Sequence, residues 1–165
     1  MRLASGDPLI RMNGLMQRGA MVLVLLSLPG TVRAGAVQIT NDVPLAFGSL
    51  ISGATPGTIT ITSSGTTSTT GGVIAFGAGA AAASFTISIE KGNPNYSIVL
   101  PSSANLIGTG APMLVDGFES TPGNGGHVRP PTGFQDMTLG ATLHVGANQA
   151  AGTYSGTFNI TVTSP

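Results

Sequence analysis

Along most of the chain after residue 36, apolar and polar residues alternate, and no helical period runs for a useful length. In Gly57 to Thr62, Ile59 and Ile61 alternate with Thr58, Thr60 and Thr62; in Phe85 to Glu90, Phe85, Ile87 and Ile89 alternate with Thr86, Ser88 and Glu90. A period of two puts successive side chains on opposite faces of a sheet, so both segments are predicted strands with odd positions turned inward. Leu139, Ala141, Leu143 and Val145 form another inward row, and Tyr154, Gly156, Phe158, Ile160 and Val162 predict a long final strand from Tyr154 to Thr163. Weaker alternation marks Val37 to Thr40, Leu45 to Leu50, Val73 to Phe76 and Met113 to Phe118. The turn formers Lys91-Gly-Asn-Pro-Asn95 predict an antiparallel hairpin between Phe85 to Glu90 and Tyr96 to Leu100. Ser63 to Gly72 and the Pro- and Gly-rich Thr121 to Gly133 read as exposed loops. About eight or nine short strands separated by turns suit an all-β, antiparallel, immunoglobulin-like or pilin-like β-sandwich.

Residues 1–34 follow a different pattern. Arg2, Arg11 and Arg18 precede an unbroken, mostly aliphatic run from Ala20 to Leu28; Pro29-Gly30 breaks it, and Val32-Arg33-Ala34 supplies small residues at peptidase positions. These are the parts of a removable export signal, with a mature N-terminus expected at Gly35, or at Val37 because Ala34-Gly-Ala36 satisfies the same rule. The apolar run is about half of the roughly 20 residues a membrane-spanning helix needs, so no membrane span is expected in the mature chain. Residues 35–165 are then one domain, exported to the periplasm, the cell surface or the medium.

The formal net charge of zero hides an asymmetry, because four of the six basic residues lie in the leader. Beyond it, Lys91 and Arg129 face Asp42, Glu90, Asp116, Glu119 and Asp136, two against five, for a net charge of −3. Nucleic acid binding needs clustered cations to displace counterions from phosphate, and two scattered ones do not supply it. The chain has no cysteine, so an exported domain must hold together by its core, without disulfides. Disordered chains combine low hydrophobicity with high net charge, the reverse of this composition.

Candidate chemistry is sparse. Val73 to Ala82 contains Gly77-Ala-Gly79-Ala-Ala-Ala82, which superficially matches the turn that lays a pyrophosphate on a helix N-terminus. The alternation of Phe85 to Glu90 begins too soon for the required helix, so the glycines read as turn formers. His144 falls between inward Leu143 and Val145, hence on the solvated face, and His127 lies in a predicted loop. The carboxylates are scattered, with Asp116 and Glu119 able to approach Asp136 only through the fold. Phe85, Tyr96, Tyr154 and Phe158 sit on inward rows and read as core rather than as a stacking platform. Two glycosylation-like triplets, Asn95-Tyr-Ser and Asn159-Ile-Thr, are short enough to arise by chance. No catalytic, metal or cofactor residue and no small-molecule substrate is expected, and an enzyme is not the reading.

Leu45-Ala-Phe-Gly48, Gly57-Thr-Ile-Thr-Ile61, Thr70-Gly-Gly-Val73, the Phe85 to Leu100 segment, and Gly140-Ala-Thr-Leu-His-Val-Gly146 leading into Ala151-Gly-Thr-Tyr-Ser-Gly156 resemble the bacterial family catalogued as domain of unknown function 4402. The resemblance implies no established activity and no catalytic residues. The closing pattern, Gly152-x-Tyr154 followed by an alternating strand, is also similar to the spore coat protein U and chaperone-usher pilin groups. That likeness implies an immunoglobulin-like sandwich assembled on a cell surface.

Sheet edges expose unpaired backbone groups, which soluble proteins usually blunt with charge or Pro. The outer face of the final strand carries only Ser155, Thr157, Asn159, Thr161 and Thr163, and no later strand in the sequence covers its edge. This leads to the expectation of an exported structural subunit that self-associates, or joins related envelope subunits, by strand addition. Val37 and Ile39 would act as a donor strand, with Tyr154, Phe158, Ile160 and Val162 in the strand that receives it. The alternative is a monomeric binding module using its long loops.

Overall fold

Alternation becomes twelve strands, with no helix among the described residues, in a computed structural model that describes residues 21–25, 37–90 and 95–164. The strands are β1 (Met21–Leu25), β2 (Val37–Val43), β3 (Ala46–Ile61), β4 (Thr67–Ala81), β5 (Ala83–Ile89), β6 (Asn95–Val99), β7 (Ser103–Leu106), β8 (Met113–Thr121), β9 (Gly125–Val128), β10 (Phe134–Val145), β11 (Thr153–Gly156) and β12 (Thr161–Thr163). Nine of them form one sheet system in which β10 and β3 are the long organising strands; β12, β6 and β9 form a separate sheet. Apart from the parallel β1–β11 pair, the pairings of these strands are antiparallel. The architecture is an antiparallel β-sandwich.

Two strands change partners along their length. β10 pairs with β5 through Phe134 to Leu139 and with β3 through Ala141 to Val145, while its other edge holds β8. β3 pairs with β1 through Ala46 to Leu50 and with β10 through Gly57 to Ile61, while its other edge holds β4 throughout. The register of β3 with β4 shifts between Ser52 and Gly57, so the strand bends there. The core between the layers includes Leu45, Phe47, Leu50, Ile59, Ile61, Phe85, Ile87, Ile89, Tyr96, Ile98, Leu139, Leu143 and Tyr154, all at most 3% exposed. Each such side chain stabilises the fold by about 1.5–3 kcal/mol relative to exposure.

The inward rows were read correctly; their pairing was not always. β5 and β6 do not form a hairpin: β5 pairs with β2 and β10, and β6 with β9 and β12 in the other sheet. A short connection rich in turn formers serves a crossing between facing layers as well as a tight turn, and alternation looks the same in both cases. Residues 91–94 of that connection lie outside the described residues. The predicted final strand is also two strands, β11 and β12, placed in different sheets. Burial still alternates from Tyr154 through Thr163, because Phe158 turns inward against Phe118, ring centroids 5.2 Å apart, as the chain changes layer. Ser63 to Gly72 is not one loop: the turn closes through Thr62 and Thr66, and β4 begins at Thr67. Thr121 to Gly133 contains β9, where His127 lies 5.2 Å from the Tyr96 ring.

Candidate functional site

β11 is held firmly on one side. Ile107 and Ser155 exchange backbone hydrogen bonds of 2.8 and 3.0 Å, joining β11 to the end of β7. The buried Tyr154 hydroxyl donates to the Ala150 carbonyl at 2.8 Å and accepts from Gln149 Nε2 at 3.0 Å. Gln149 Nε2 also donates to the Ala111 carbonyl, and Ser52 Oγ donates to the Gln149 carbonyl, tying this corner to β3. Gly156 admits the close approach of β7, since a Cβ there would lie 2.2 Å from the Asn105 carbonyl oxygen.

On its other side β11 meets β1. β1 lies between β3 and β11, antiparallel to the first with Met21 opposite Leu50 and Val24 opposite Ala46. It is parallel to the second, with Val22 opposite Thr153 and Leu25 opposite Gly156. The strands therefore form a circuit, β3 to β1 to β11 to β7 to β8 to β10 and back to β3. Both walls of the β1 seat are fixed without β1: β11 by β7 and Tyr154, and β3 by β4 along its opposite edge. The β3 wall carries a bulge at Gly48, φ +74°, where a Cβ would meet the Ala80 nitrogen at 2.8 Å. The remainder of the predicted leader lies outside the described residues.

The residues expected to assemble do not come together. Tyr154 forms a wall of the seat, but Phe158, Ile160 and Val162 follow the chain into the other layer. Val37 and Ile39 pair within their own domain, opposite Ile89 and Ile87 of β5, and pack half-buried on its core. Asn41 Nδ2 fastens that strand by donating to the Ser84 carbonyl at 3.2 Å. Sequence reasoning missed the β3 wall and the pairing of Met21–Leu25; the β-branched Val22 and Val24 within the aliphatic run were the available signal.

Polar groups offer one further cluster. His144 Nε2 and Asp116 Oδ1 lie 2.8 Å apart on neighbouring outer-face positions of β10 and β8, with both side chains over a third exposed. Their separation of 28 residues hid the pair from sequence reading. Among the described residues no hydroxyl bonds this imidazole. The other carboxylates have separate duties: Glu119 accepts from the Ser63 amide at 2.9 Å, and Asp42 accepts from Thr86 Oγ1 at 2.8 Å. Asp116 and Glu119 stand opposite Thr142 and Gly140 of β10, which places them about 20 and 13 Å along that strand from Asp136. Among the described residues no three His, Cys, Asp or Glu side chains converge on a metal position, and no helix is long and apolar enough to cross a membrane. Burial pushes the Tyr96 hydroxyl above its ordinary pKa. Gly77 and Gly79 of the pyrophosphate-like motif have φ +74° and +115° within β4 and precede no helix.

No curated protein and no solved structure matches the chain. The family described as domain of unknown function (DUF4402) matches residues 37–163, which is every strand of the sandwich except β1. By that match, which covers more than half of its length, the chain belongs to the DUF4402 family.

Proposed function

We propose that this chain is a non-enzymatic, exported structural subunit of a surface or fimbria-like assembly, joined to its neighbours by strand addition at the seat between β3 and β11. One observation carries the reading. The family domain, residues 37–163, supplies two fixed walls, and the strand between them comes from Met21–Leu25, outside that domain and inside the predicted export signal. Removal of the leader leaves Ala46 to Leu50 and Thr153 to Gly156 with unpaired backbone edges facing one another. Such a slot accepts an extended segment through main-chain hydrogen bonds on both sides, with selectivity set by the alternate side chains. Its rim carries no Asp, Glu, Lys, Arg or His: β3 has none, nor has Thr153 to Gly156. An apolar strand from another subunit meets no electrostatic penalty there.

The donor role first read into Val37 and Ile39 requires β2 to leave β5, so the proposal assigns the seat an acceptor role and leaves β2 in its own sheet. The test compares peptide binding and thermal unfolding of the full chain with those of the fragment Gly35 to Pro165. The fragment is expected to bind a peptide spanning Ala20 to Leu28 and to gain stability from it, whereas the full chain, whose seat is filled by β1, does not. A fragment that is monomeric, as stable as the full chain and indifferent to the peptide contradicts the proposal.

A further inference from the structure

The other flank of β3 is bounded by β4, and among the described residues β4 pairs with β3 alone. Among the described residues its outer edge is therefore open. Edge strands in soluble proteins are commonly blunted by Lys, other charges or Pro, and β4 contains none of these from Thr67 to Ala81. The charge-free zone is wider still, since no residue between Val43 and Ile89 ionises. Within it, Ile74 is 61% exposed, Phe76 55% and Ile51 40%. These three share one face: Ile51 is the cross-strand partner of Ile74, and Phe76 stands two residues along β4 from Ile74. Register with β3 is regular from Val73 to Phe76, and glycines bound that stretch at Gly72 and Gly77.

We infer that the β4 edge from Val73 to Gly77 is a homotypic interface, pairing antiparallel with the same stretch of a second copy about a two-fold axis through Ala75. The occupant follows from charge and symmetry. A partner selected by charge finds nothing to read between Val43 and Ile89, whereas a like copy meets no repulsion there, although the domain beyond the leader is net negative. A two-fold axis normal to the sheet keeps the same face upward in both copies. Opposite residues then have numbers adding to twice that of the axis residue, so Ile74 of each copy stands opposite Phe76 of the other. Directly opposed β-branched and aromatic side chains are favourable cross-strand pairs, and the Ile51 side chains flank them on both sides. The four exposed Ile and Phe side chains at 74 and 76 close into one apolar cluster, covered by the pairing that satisfies the edge.

The absence of native cysteine makes the register directly testable. In the full chain, where β1 fills the seat and strand addition there cannot contribute, Ala75→Cys places two thiols opposite one another. Opposed Cα atoms in antiparallel pairs are about 4.5–5.5 Å apart, within disulfide range. Ala75→Cys is expected to cross-link to a dimer under mild oxidation, whereas Ile74→Cys and Phe76→Cys cross-link only when mixed with one another. Ile74→Lys with Phe76→Lys should weaken the dimer by about 100-fold, with circular dichroism unchanged because both positions are exposed. A full chain that stays monomeric at high concentration, and whose Ala75→Cys variant gives no disulfide-linked dimer, overturns the inference. Equal cross-linking at all three positions overturns the two-fold register. Neither result bears on the seat, whose own test reads the fragment without the leader.

Discussion

The two flanks of β3 treat exposed backbone in opposite ways. On the flank facing β11, a strand from outside the family domain lies between two fixed walls, and the side chains around it, Phe47, Leu50 and Tyr154, are essentially buried. On the flank facing β4, no described residue covers the outer edge of that strand, and Ile74 and Phe76 are exposed. A slot between two edges takes one extended segment and pairs it on both sides. A single open edge pairs only once, and a second copy of itself is a matching partner. Missing charge permits association at both places, but geometry decides what kind.

Substitutions separate the flanks by magnitude. Tyr154→Ala removes a fully buried ring and the two hydrogen bonds of its hydroxyl, and should destabilise the domain by about 3–5 kcal/mol in chemical denaturation. Phe76→Ser at the open edge should change monomer stability by about 0.5 kcal/mol or less. Equal effects would mean that the β11 wall is not preformed.

Ile39→Asp tests β2, whose half-buried Ile39 packs on the core opposite Ile87. It should cost about 1–3 kcal/mol of the domain's own stability. If the variant instead keeps full stability and loses only self-association, β2 is a donor strand after all. Gly48→Ala should cost about 1–2 kcal/mol, because φ is +74° and the added Cβ presses on the Ala80 backbone. It should weaken uptake of a peptide in the seat and, combined with Ala75→Cys, leave the cross-link at the β4 edge intact.

The smallest effect is a pH dependence. Burial raises the folded pKa of Tyr96 above its ordinary 10.0, so the folded state holds its proton where the unfolded chain has released it. The sign is that of a destabilised phenolate: the folded state loses ground as pH rises above 10.0, and the loss levels off once pH passes the raised value. Unfolding midpoints should fall in strong alkali, and Tyr96→Phe should flatten the fall.

Period-two patterning revealed which side chains face the core. Leu143 is fully buried while His144 beside it is exposed, and Tyr154 and Phe158 are core as their rows required. Pairing was less legible, because alternation encodes a face and not a neighbour. Phe85 to Ile89 and Tyr96 to Val99 bury alternate residues against the same interior from different sheets, which is why they passed for a hairpin. Thr67 to Gly72 looked like a loop by composition, yet Thr58 and Thr70 hydroxyls pair across β3 and β4 at 2.8 Å. Val37 and Ile39 have the alternation of a donor strand, and the same alternation suits the β-edge position they occupy. The seat was hidden for a further reason: an aliphatic run such as Ala20 to Leu28 suits an export signal and a strand alike.

Amide hydrogen exchange of the full chain against the fragment Gly35 to Pro165 tests the open seat most directly. The account predicts that amides of Ala46 to Leu50 and Thr153 to Gly156 that face β1 lose protection in the fragment, that Ala141 to Val145 stay protected, and that a peptide spanning Ala20 to Leu28 restores the loss. Unchanged protection at both walls in a folded, peptide-free monomer would show that the domain closes without an added strand, and would contradict it.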